Sequence, residues 1–114
     1  MLTIRREQME ALSRADVRKF EEWMLAHVQR YFPEQCRSAG DGLRDLVRQG
    51  IDRAKAHGIG SKKGVWQYVD LMMVFGGDFD ERRPWASAIL QGTEEEADKL
   101  RRLQIAARAE LGKR

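Results

Sequence analysis

A chain of 114 residues with 21 Lys and Arg against 18 Asp and Glu carries a net charge of only +3, and 42% of it is hydrophobic. That is enough for one helical domain spanning residues 1–114 with its own core, and it excludes disorder, while two prolines and ten glycines exclude collagen-like and low-complexity classes. The longest apolar run, Leu71 to Phe75, is too short to span a bilayer, and no apolar stretch follows Met1, so neither a membrane segment nor a secretory leader is expected.

The periodicity is helical throughout. Met9, Leu12, Val17, Phe20, Met24, Val28 and Tyr31 recur at three- and four-residue steps with one slip at Ser13 to Asp16, read as a cap or a kink. This predicts one long helix ending near Phe32, stopped by Pro33. A second helix should begin with Asp41 as N-cap and bury Leu43, Leu46, Val47, Gly50, Ile51 and Ala54 on one face. Gly50 lies on that face, where a glycine costs about 1 kcal/mol relative to alanine, so it predicts close approach of another helix. Gly58 should close the helix in a left-handed conformation, with Ile59 packing back.

Ser61 is the expected N-cap of a third helix running to Phe75, ended by Gly76 and Gly77. It is apolar on nearly all sides, broken only by Gln67 and Asp70, which makes it either central or covered by a partner. Asp78 to Arg83 reads as a loop, and Pro84 as the first turn of a short helix to Leu90. Thr93-Glu94-Glu95-Glu96 has the form of a capping box opening a last helix with a thin stripe through Ala97, Leu100, Leu103 or Gln104, Ala107 and Leu111. No segment alternates as a strand would. The fold class is all-α, a compact bundle of four main helices plus one short helix.

The sequence pI near 9.3 does not by itself imply nucleic acid. Basic dyads such as Arg18-Lys19, Lys62-Lys63 and Arg101-Arg102 are spread along the chain among acids at helical spacing: Glu10 with Arg14, Glu95 with Lys99, Asp98 with Arg102. A nucleic-acid binder concentrates its cations on one stripe. Cys36, the single cysteine, cannot form an internal disulfide and fits a reducing, cytoplasmic compartment.

Motifs for catalysis are missing, and we expect no enzyme, no catalytic residue, no metal and no cofactor. The turn Gly58 to Gly64 could offer backbone N–H groups to a phosphate, but its spacing fits neither phosphate-loop pattern and reads better as a helix stop followed by a serine cap. Asp78, Asp80 and Glu81 lack the further ligands of a Ca²⁺ loop and sit beside Arg82 and Arg83. His27 and His57 fall on different helices outside any metal spacing. Cys36 is read as a loop thiol whose pKa Arg37 could lower slightly, with no base nominated to activate it. Asp70, a carboxylate in an apolar helix, needs a partner: an arginine, or a Trp or Tyr donor from another helix. The surplus of large apolar groups on the third helix and after it points to protein recognition, with Trp66, Asp70, Met73, Phe79, Asp80 and Trp85 as candidate partner-binding residues.

A succession of local strings carries a family resemblance: Phe32-Pro33 with Cys36, Gly50-Ile51-Asp52-Arg53-Ala54, Gly58-Ile59, Tyr68-Val69-Asp70-Leu71-Met72, Gly76, Asp78-Phe79-Asp80, Pro84-Trp85-Ala86 and Ile89-Leu90. In this order they resemble small helical proteins encoded in bacterial type VI secretion effector clusters. Those clusters also encode lipase-like or peptidoglycan-targeting toxins, spike proteins and effector chaperones. The resemblance spans about Ile4 to Leu90, and the chain departs from it at Lys62-Lys63 and in a shortened Glu81-Arg82-Arg83 linker. It implies a non-enzymatic adaptor or co-chaperone whose partner is a secreted effector or its chaperone. On the interleaved charge and the short apolar run, neither nucleic acid nor membrane is expected as a partner. A homodimer is left open. The alternative is an immunity protein neutralising a cognate toxin, and a nucleic-acid-binding regulator is a more distant third.

Overall fold

The computed structural model describes residues 14–112, and the regular elements among them are all helical. They are α1 (Arg14–Tyr31), α2 (Pro33–Ala39), a 3-10 turn (Gly40–Gly42), α3 (Leu43–Ala56), α4 (Lys62–Phe75), α5 (Phe79–Arg82), α6 (Pro84–Leu90) and α7 (Glu96–Gly112). The fold is thus all-α and compact, with α1, α3, α4 and α7 as its four main helices. The start of the first helix at Met9 and its cap at Ser13 lie outside the described residues, as does the pair of Glu10 with Arg14.

Two short helices stand where loops were expected. Pro33 ends α1 but also opens α2, because a fixed φ and a missing N–H suit the first position of a helix as well as they disrupt its interior. Cys36 therefore lies on a helix. The expected loop after α4 contains one helical turn, α5, whose role is to bury Phe79.

The termini show which local signals carried. Asp41 is not an N-cap: it sits in the 3-10 turn, and helical backbone runs on through Gly42 into α3 with no side-chain cap. Gly58 takes a φ of +81°, and the Ile59 N–H donates to the Ala54 carbonyl at 2.8 Å while the Gly58 N–H donates to Lys55 at 3.0 Å. This paired closure brings Ile59 into the core with no exposed surface. Ser61 is extended, and its Oγ accepts from the Gly64 N–H at 3.0 Å. Glu96 does not complete a box with Thr93; its Oε1 accepts from the Gly60 and Ser61 N–H groups at 2.6 and 2.9 Å.

Gly50 is where α3 and α4 meet most closely. A Cβ there would stand 2.7 Å from Val69 Cγ2 and 2.8 Å from Met72 Sδ. Around this crossing, Met24 and Val28 of α1, Val47 and Ala54 of α3, Tyr68 and Val69 of α4, and Leu103 of α7 share one hydrophobic cluster. Phe79, fully buried, packs on Tyr68 with ring centres 5.1 Å apart, and such burial contributes about 1.5–3 kcal/mol. The described body measures 43 × 34 × 19 Å, about two helix diameters thick.

Charged side chains join the helices at the edges of this core. Glu21 on α1, buried, accepts from Arg44 at 2.8 Å and from Arg48 at 3.0 Å on α3. Burial opposes its charge, but the two guanidinium groups win and hold its carboxyl below the usual range. Lys99, also buried, does not pair with Glu95. Its ammonium donates to the His57 carbonyl at 2.9 Å and the Leu90 carbonyl at 3.2 Å, placing a cation on the C-terminal ends of α3 and α6. Asp98 pairs with Arg101 at 2.9 Å, and Arg102 turns to Glu94 at 3.6 Å, in place of the expected pair between Asp98 and Arg102.

Candidate protein-docking site

On α1, Phe20, Trp23, His27 and Tyr31 follow one another at steps of three, four and four, which aligns them along one helix face. Their rings form a continuous ladder. Phe20 and Trp23 stack at 6.3 Å, Trp23 and His27 at 5.1 Å, and His27 leans on Tyr31 at 5.0 Å. Trp66 of α4 sets its ring edge-on against both Trp23 and His27, each at 5.8 Å. Trp23 remains 49% exposed and Tyr31 61% exposed, with the Arg30 guanidinium 5.6 Å above the Tyr31 ring.

Asp70 fixes the ladder from below. Its Oδ1 lies 2.9 Å from His27 Nε2, and its Oδ2 accepts from Trp66 Nε1 at 3.1 Å. The cross-helix partner is therefore a histidine, not an arginine, and the indole donor comes from the same helix, one turn back. Burial raises the Asp70 pKa, and the opposing pull of His27 and Trp66 does not fully offset it. The pair takes up His27 Nε2 and orients the ring, so the arrangement holds an aromatic surface in place.

The second histidine has a similar partner in a different setting. His57 Nε2 lies 3.0 Å from Asp80 Oδ2, and Arg53 donates to Asp80 Oδ1 at 2.6 Å. Asp80 is buried. Burial opposes its charge, but the bond to His57, the adjoining Tyr68 hydroxyl and the Arg53 charge hold its carboxyl below the usual range. The Tyr68 hydroxyl, itself buried, meets no hydrogen-bond geometry among the described residues, and burial followed by the Asp80 charge pushes its pKa up.

Of the six residues expected to contact a partner, the structure brings only Trp66 and Asp70 together at a partly open face. Met73 and Phe79 are core residues, and Asp80 is the buried acceptor of Arg53 and His57, so none of the three offers a surface to a partner. Trp85 is half-buried against Phe75 at 5.4 Å, with its Nε1 donating to Glu110 at 3.1 Å. The apolar character of α4 is accounted for mainly by the core, where Val65, Tyr68, Val69, Leu71, Met72 and Met73 are buried. The open aromatic face belongs instead to α1. Trp23 and Tyr31 carry it, and the aromatic spacing from Phe20 onward was the signal available for it.

Other chemistry-bearing features resolve into structure. The Gly60 and Ser61 N–H groups that a phosphate would need are occupied by the Glu96 carboxylate. Asp78 reaches Arg82 at 3.6 Å, while Asp80 is turned inward to Arg53. Burial raises the Cys36 thiol pKa, the reverse of the lowering expected from Arg37. No helix of the described residues is long and apolar enough to cross a membrane. Comparison with known proteins matches this chain to no protein family, no curated protein and no solved structure.

Proposed function

We propose that this chain is a non-enzymatic, cytoplasmic protein-binding factor that docks a partner on the aromatic face of α1 and α4. The observation that carries the reading is Trp23, half exposed and stacked on His27, which Asp70 holds in place. Trp and Tyr dominate binding hot spots because they offer large contact area for little lost conformational freedom. A ladder already stacked in the free protein keeps the ordering cost of binding low. Trp66 and Asp70 belong to this face as supports, and Trp23 and Tyr31 as the groups that touch the partner.

The biological setting we propose is a bacterial type VI secretion effector module, in which the chain serves as adaptor or co-chaperone for an effector or its chaperone. The string of motifs from Phe32 to Leu90 supports that setting. Co-expression of the chain with the proteins encoded beside its gene, followed by size-exclusion chromatography, tests it. A stable complex that leaves a toxin's activity intact is the expected result. Failure of every neighbour to co-elute would overturn the setting. Stoichiometric rescue of cells from a toxin would replace it with an immunity role.

A further inference from the structure

A second surface lies on the opposite flank of α4, against α7, and shares no residue with the aromatic face. Here α4 and α7 bound an open groove of about 500 Å³. Leu100, partly buried against the core beside Gly64, and Ile105, 62% exposed, are its large apolar side chains, on a helix whose buried stripe runs through Lys99, Leu103 and Ala107. Lys63 from α4 and Arg101 and Arg108 from α7 supply its charge.

The balance of charge in this groove is one-sided. Its single carboxylate, Glu96, is at one end and engaged by the Gly60 and Ser61 N–H groups. Arg101 is paired with Asp98, whereas Lys63 and Arg108 meet no carboxylate among the described residues. Cations standing beside an exposed apolar wall complement a ligand that is both acidic and apolar. We infer that the α4–α7 groove binds an acidic amphipathic helical segment of a partner protein. Its apolar side chains, at three- and four-residue steps, sit on Leu100 and Ile105, and its carboxylates face Lys63 and Arg108. A single-stranded nucleic acid fits less well, because the lining offers no aromatic ring on which a base could stack.

Selection from a display library of random 16-residue peptides, panned on the full chain, tests the assignment. The expected outcome is enrichment of peptides combining Asp or Glu with Leu, Ile or Phe at helical spacing. Arg108→Glu and Lys63→Glu, on two different helices, should each weaken a selected peptide about tenfold or more. Ile105→Asp should weaken it as well. All three positions are exposed, so circular dichroism should show unchanged helicity, and Trp23→Ala should bind the peptide as the parent does. No enrichment, a basic consensus, or a consensus indifferent to all three changes would overturn the inference. So would a duplex DNA probe that binds more tightly than the selected peptides and is displaced by Arg108→Glu. Because Trp23→Ala is neutral here, the groove and the aromatic face can fail separately.

Discussion

His27 Nε2 lies 2.9 Å from Asp70 Oδ1 and His57 Nε2 lies 3.0 Å from Asp80 Oδ2, yet the two carboxylates are displaced in opposite directions. Asp80 also receives Arg53, whereas among the described residues Asp70 has only an indole besides its histidine. Asp70→Asn keeps an acceptor for Trp66 and removes a carboxylate that burial disfavours. It should change stability at pH 7 by less than about 1 kcal/mol. Asp80→Asn leaves Arg53 without its anion and should cost about 2 kcal/mol or more. Urea unfolding of both variants at pH 7 checks the contrast; equal losses would contradict it.

The same displacements set the pH dependence. The Asp80 pKa is lowered on folding, so its contribution is present above the ordinary carboxylate range and is lost as pH falls through the folded value. The Asp70 pKa is raised, so its contribution is present below the ordinary value and is lost as pH rises through the folded one. Between pH 5 and pH 3 the parent should therefore lose stability more steeply than Asp80→Asn does. Asp70→Asn should lose it at least as steeply as the parent, and melting temperatures across that window measure all three.

At the crossing of α3 and α4, Gly50→Ala gains helix propensity, worth about 1 kcal/mol, but sets a methyl 2.7 Å from a γ-carbon of β-branched Val69. Overpacking of this kind costs about 1–3 kcal/mol, so net destabilisation is expected. A melting temperature at or above that of the parent would show that the helices can part without loss.

Glu96 joins the start of α7 to the turn before α4. Glu96→Ala removes the acceptor from the Gly60 and Ser61 N–H groups and should cost about 1–2 kcal/mol, read by chemical denaturation. Glu96→Gln, which keeps an oxygen acceptor, should recover part of that loss.

Legibility of this fold in the sequence followed the range of the interactions. Gly50, Gly58 with Ile59, and Ser61 announced their roles because each is settled within a few residues or by one helix face. Pro33 was ambiguous on physical grounds, since the property that ends one helix also begins another. The residues assigned to a partner were harder. His27 and Asp70 are 43 residues apart, and Arg53 and Asp80 are 27 apart, so no local spacing reveals either pair. Size and apolarity mark Met73, Phe79 and Trp23 alike, and only tertiary packing, such as that of Phe79 on Tyr68, decides which of them is covered. The Lys99 ammonium answers to the carbonyls of two distant helix ends, which outweighs a neighbouring carboxylate at helical spacing.

The aromatic face is tested most directly by calorimetric binding of the full chain to whichever neighbour-encoded effector or effector chaperone co-elutes with it. Trp23→Ala should weaken that complex about tenfold to a hundredfold, and Tyr31→Ala should weaken it measurably. Gln49→Ala, exposed on α3, should leave it unchanged. Affinity unaltered by the loss of Trp23, with helicity retained, would contradict the assignment of this face to the partner.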